Sequence, residues 1–228
     1  SLINIDKINI GLMHLDETNK PKTDNLTSQL NQHYNFRAID SKGTIPNNID
    51  VILVSGAIDT IDASTIANLS AHLNSGKRIL FTQSGVNADI QTQQAFPIES
   101  NIFEFLSTYD LDLQKNLVLD AKCGNVQVQQ SVGLFRMNRA VQYPFFPIID
   151  TFNTSDSISK IIVNKLEQVL PLFPSEIKID TIKNEGVSSA SAIFSSSNNS
   201  GIIESNFMLS PDPQQNPFIK MLGQKGKI

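Results

Sequence analysis

The sequence predicts an α/β protein: a doubly wound, mostly parallel sheet in the first half, followed by a strand-rich second half. Two observations carry this. Up to residue 109, short aliphatic runs alternate with amphipathic stretches of about 10–14 residues, the spacing of βαβ units. After residue 115 strand signals continue while helical stripes become few. The expected division is an α/β core over residues 1–115 and a strand-rich extension over 116–228, packed on the same core as one domain.

Residues 7–15, with Ile8, Ile10 and Leu12 alternating, read as the first strand. A polar loop containing Pro21 leads into a helix over 24–33, where Leu26, Leu30 and Tyr34 recur at helical spacing. Residues 35–39 form a short strand, and 43–48 carry turn chemistry. Residues 50–55 are a nearly all-apolar strand ending in Gly56, the pattern of a parallel strand covered on both faces. Asp62 is placed to cap a helix carrying Ile66, Leu69 and Leu73, which Gly76 ends in a left-handed conformation. Residues 77–82 are the next buried strand and 83–97 a polar loop. Ser100 caps a helix with Ile102, Phe105, Leu106 and Tyr109 on one face. In the second half, 116–119, 125–130, 140–143 and 165–170 read as strands. Tyr143-Pro144-Phe145-Phe146-Pro147 is broken by prolines and too rigid for a central strand. Residues 188–201 are a Ser/Asn-rich loop, 211–217 are extended and polar, and the last residues are basic.

Composition removes several function classes. The 228 residues carry 18 Lys+Arg against 22 Asp+Glu, a net charge of -4, and no basic run exceeds Lys77-Arg78. This argues against nucleic acid as a partner. Cys123 is the only cysteine, so neither an internal disulfide nor a thiolate metal cluster is possible. His14, His33 and His72 are too scattered for a zinc site, and no metal or cofactor is expected. No stretch reaches the roughly 18–20 apolar residues that span a bilayer. The chain opens with Ser1 and has no leader, so it is expected to be an excised piece whose anchor lies elsewhere.

In a doubly wound sheet, ligands sit beyond the carboxyl ends of the strands. Those ends are His14-Leu15-Asp16, Ser55-Gly56-Ala57 and Gln83-Ser84-Gly85, which makes Ser55, Gly56, Gln83 and Ser84 candidate binding residues. The bland account is that they are polar turns. Nothing resembles a phosphate cradle: no Walker loop and no G-x-G-x-x-G follows a strand. A nucleophile elbow needs a small residue on each side of the attacking one, and Ser84 has Gly on one side only. Cys123 reads as a buried or half-exposed free thiol, His33 and His72 as solvated side chains near helix ends. The carboxylate pairs Asp110/Asp112 and Asp16/Glu17 have nothing to set them at catalytic separation. Tyr143, Phe145 and Phe146, with Phe135 and Phe152 nearby, read either as a hydrophobic docking patch or as the packing of a proline-rich corner.

Three features in order resemble a known family. Asp50-Val51-Ile52-Leu53-Val54-Ser55-Gly56 is followed by a helix and Gly76-Lys77-Arg78-Ile79-Leu80-Phe81; a second helix leads into Asn116-Leu117-Val118-Leu119-Asp120; then come Tyr143 to Pro147, Ser157-Ile158-Ser159-Lys160 and Val169-Leu170-Pro171-Leu172-Phe173. The chain resembles the extracytoplasmic domain of ABC-type transport auxiliary proteins, which include the gliding-motility auxiliary component. The resemblance runs over about residues 7–220 and departs most over 183–201. It implies a place beside an ABC permease and its ATPase, on the periplasmic face of the inner membrane, anchored by helices outside this chain. It brings no catalytic residues. The first half is also similar to the flavodoxin-type and class I glutamine-amidotransferase-type α/β fold. There Leu80 to Gly85 aligns on the elbow and sets Gln83 where a catalytic Cys belongs, and an amide cannot be activated as a nucleophile.

The expected function is therefore a non-catalytic binding or assembly domain of an ABC transport system. The alternatives are an amidotransferase-like or serine hydrolase enzyme pairing Ser84 with His14, and a glycan-binding module, which the absence of Trp counts against.

Overall fold

The computed structural model describes residues 7–16, 22–132, 135–153, 157–179 and 190–221, the side chains at 130–132, 135 and 221 excepted. Glu17, Pro21, residues 188–189 of the expected loop and the basic end of the chain lie outside them. The fold is mixed α/β, with a four-stranded parallel sheet and additional antiparallel strands. It divides into two units, one built from residues 1–83 and 99–105, the other from 84–98 and 106–228.

The first unit holds the parallel sheet: β1 (Asn9–His14), β2 (Asn35–Ile39), β3 (Val51–Ser55) and β4 (Arg78–Thr82), in the order β2-β1-β3-β4. Its strands sit where the hydrophobic runs place them. Register aligns Met13, Val54 and Phe81 across β1, β3 and β4. Met13, Ile52 and Val54 are fully buried, whereas Val51 and Leu53, on the opposite face, are half-buried. The cover expected on both faces of β3 is thus complete on one. Nor is β4 a buried strand. It is a sheet edge whose Arg78, Leu80 and Thr82 are exposed, because hydrophobicity alone does not distinguish an edge from a centre.

Helix α1 (Asp24–Leu30) lies against the edge strand β2 and buries no residue, so its apolar stripe finds little to cover. Helix α2 (Ala63–Asn74) lies against β4 and buries Thr65, Leu69 and His72. Asp62 holds its N-cap position, but the carboxylate makes no cap bond; the Asp62 carbonyl receives the Thr65 and Ile66 amides. Gly76 ends the helix at φ +80°, as its position after the last apolar residue implies. Helix α3 (Ile102–Ser107) is capped as expected, the Ile102 amide donating to Ser100 Oγ at 3.3 Å.

The second unit is a set of antiparallel pairs. The polar stretch after Gln83 forms a hairpin of β5 (Val86–Asp89) and β6 (Gln94–Pro97), where a loop was expected. Then β7 (Leu111–Leu113), β8 (Leu117–Asp120), β9 (Cys123–Val132) and β10 (Phe135–Pro147) follow, with β9 and β10 paired along most of their length. The register shifts between Gln142 and Pro147, so the prolines fall in an irregular strand end. Helix α4 (Ser157–Val163), β11 (Ile177–Ile179), β12 (Ser200–Ile203) and α5 (Pro217–Met221) complete the unit; β11 pairs with β7 and β12 with β8. Residues 165–170 are not a strand: only Val169 bridges to Ile149. The core gathers Val86, Leu117, Leu119, Tyr143, Phe145 and Leu209. Asp120, fully buried at the end of β8, accepts from the Lys122 amide and from the amide and hydroxyl of Ser197 at 2.6–2.8 Å.

Candidate functional site

The carboxyl ends of the parallel strands bring His14 and Ser55 together. They are register partners on β1 and β3, and His14 Nδ1 lies 2.9 Å from Ser55 Oγ. Immediately after β3 the chain passes close beneath β4. A Cβ at Gly56 would stand 2.8 Å from the Thr82 carbonyl oxygen and 3.0 Å from Gln83 Oε1, so a larger residue would force the strand ends apart.

Gln83 closes this end. The Ala57 amide donates to Gln83 Oε1 at 2.7 Å, and Gln83 Nε2 donates to the Ala57 carbonyl at 3.0 Å. One carboxamide thus meets both backbone groups of one residue, as a paired strand residue would. It adds a rung beyond Ser55↔Thr82, the last register pair of β3 and β4. The candidate nucleophile position is filled by a side chain whose donor and acceptor are both engaged.

Ser84 opens the second unit and is tied within it. Its hydroxyl donates to the Phe173 carbonyl at 3.0 Å and lies 3.0 Å from Ser175 Oγ, which accepts the Gly85 amide at 2.8 Å. Sequence reasoning singled out Ser84 but not Ser175, about ninety residues away, because no local pattern marks a contact of that separation.

Tyr143, Phe145 and Phe146 come together as interior packing. Tyr143 and Phe145 are wholly buried and Phe146 half-buried. Ring centroids of Tyr143 lie 5.1 Å from Phe145 and 5.0 Å from Phe146, and the Tyr143 hydroxyl donates to the Leu209 carbonyl at 2.6 Å. A surface patch formed by Tyr143 and Phe145 is excluded by that burial. Of the other two aromatics in that reading, Phe152 packs edge-on against Phe194, and the Phe135 side chain lies outside the described residues.

Two further expectations are resolved. Cys123 is buried and free, and burial pushes its thiol up to about 11. His72, expected on a solvated surface, is 5% exposed and its Nε2 has no hydrogen-bond partner. A polar concavity of about 330 Å³ lies at the amino ends of β1 and β2, lined by Asn9, Asn31, Tyr34, Asn35, Phe36, Arg37 and Asn48. This is the opposite end of the sheet from the expected site. Among the described residues no group of His, Cys, Asp and Glu could hold a metal ion, and no helix is long and apolar enough to cross a membrane.

Comparison with known proteins supplies the class. Residues 7–226 match the family described as an ABC-type uncharacterized transport system. The chain belongs to this family, which makes it an auxiliary component of such a system. A solved structure, "mmIFT52 N-terminal domain", is similar at a TM-score of 0.53 and 14% identity, over 83% of this chain and 73% of that one. At that identity the likeness is one of fold. No curated protein matches.

Proposed function

We propose that the chain is a non-catalytic binding and assembly domain of an ABC transport system of the gliding-motility type. It would work on the extracytoplasmic, periplasmic side of the inner membrane, against the permease and ATPase subunits. Family membership supports the transport setting. The order β2-β1-β3-β4 supports descent from a flavodoxin-like or class I glutamine-amidotransferase-like scaffold.

The observation that carries the non-catalytic reading is the engagement of Gln83 with Ala57. A carboxamide offers no proton whose removal makes a nucleophile, and this one serves as a structural rung. The Ser84 hydroxyl is likewise engaged, with Phe173 and Ser175. Ser55 and Gly56, partly exposed at the strand ends, are the proposed contact surface.

Co-expression of the full-length protein with the permease and ATPase subunits should recover the three as one detergent-solubilised complex. In parallel, a fluorophosphonate and a chloroacetyl amide should leave residues 83 and 84 unlabelled. Covalent labelling there together with ester or amide turnover would establish the hydrolase alternative instead.

A further inference from the structure

Strand β9 has an open edge that its sequence leaves unguarded. Among the described residues its sheet contains only β9 and β10. No hydrogen bond joins residues 125–129 to any described segment other than β10. Native sheets blunt such edges with charge or proline. Strand β10 follows that rule with Arg136, Arg139, Pro144 and Pro147, whereas none of the ten residues of β9 is charged or proline. The ribbon also has little cover of its own. Asn125, Gln127, Gln129 and all of 136–140 are exposed, and a two-stranded ribbon alone is marginally stable in water.

We propose that a second copy of this chain occupies the edge, β9 pairing antiparallel with its counterpart about a two-fold axis through Gln127. The symmetry of the strand's own sequence selects this occupant. With Gln127 opposite Gln127, Val126 stands opposite Val128 and Asn125 opposite Gln129, each twice. Valine thus meets valine on one face and carboxamide meets carboxamide on the other, because side chains alternate along a strand. A slip of one residue would set valine against glutamine at each of positions 126–129. Val126 already packs against the core of its own unit and Val128 is half-buried, so the paired valines extend that apolar face. No like charges meet. Arg139, opposite Val128 on β10, lies three strand spacings from its counterpart, about 14 Å and beyond the screening length at physiological salt. Two ribbons become one four-stranded sheet whose outer edges are the guarded β10 strands, a closed dimer and not an open filament.

Sedimentation equilibrium of the 228-residue chain tests it and should show a dimer that dissociates on dilution. Asn125→Lys with Gln129→Lys sets lysine opposite lysine at both symmetric pairs and should weaken the dimer more than about tenfold. Asn125→Lys with Gln129→Glu sets lysine opposite glutamate at the same pairs and should keep it. Both positions are exposed, so thermal unfolding of either variant, diluted to monomer, should match the parent. Gln127→Cys should link two chains through one disulfide under mild oxidation, whereas Asn138→Cys on β10 should not; Cys123, being buried, does not compete. A chain that stays monomeric to about 1 mM, equal behaviour of the two double variants, or no cross-link through residue 127 would overturn the proposal.

Discussion

His72 is a buried imidazole with an unsatisfied nitrogen, and its protonation is coupled to folding. Burial first, and then the neighbouring Lys77, hold its pKa below the ordinary 6.5, while the Arg78 backbone and the Asp50 carboxylate pull the other way. The folded chain keeps the ring neutral at pH values where the unfolded chain protonates it. Unfolded protein therefore binds more protons, and stability is fully present above about pH 6.5 and declines as pH falls below it. Thermal midpoints should drop between about pH 7.5 and about pH 5, and His72→Leu should flatten that part of the curve. An equal slope in the variant would assign the loss to other groups. Cys123 shows the same physics with an acid: burial favours the neutral thiol, so the single cysteine is chemically quiet at neutral pH.

At the level of elements, the connection from β4 to β5 depends on a close backbone approach. A Cβ at Gly85 would stand 1.8 Å from the Gln114 carbonyl oxygen and 2.9 Å from Lys115 Cα. Backbone is not easily displaced, so Gly85→Ala should cost more than about 2 kcal/mol in a urea titration. A cost below about 0.5 kcal/mol would show that the 114–115 segment steps aside. The elements legible in the sequence are those with a strong local period: β1, β3, β4 and α2 all fall within a residue or two of their hydrophobic patterns. Those missed lack one. The hairpin of β5 and β6 turns through Gln93 at φ 56°, a residue that carries no turn signature. Helix α4 escaped because it is 7 residues long, too short for its isoleucines at 158, 161 and 162 to build a sustained helical period. Residues 165–170 have strand composition, but only Val169 finds a partner.

On the scale of the whole molecule, the second unit has its own core, and aromatic rings fill much of it. Phe145 is wholly buried, with ring neighbours Tyr143, Phe173 and Phe218 at 5.1–6.1 Å. Phe145→Ala should therefore cost about 3–5 kcal/mol and lower the denaturation midpoint clearly. An unchanged midpoint would return Phe145 to the surface and revive a docking role. Residue order was sufficient for the α/β class, the parallel first half, the absence of a disulfide and the resemblance that family membership later matched, because period, spacing and composition are local properties of the chain. It was also sufficient to mark Gln83 as an unsuitable nucleophile. Three-dimensional packing was needed to give Gln83 its bond to Ala57, to seat Ser84 against Ser175, to draw Tyr143 and Phe145 inward and to turn the isoleucines of α4 out. Each of these depends on which distant segment fills the space beside a residue, and burial is a property of that neighbour as much as of the residue.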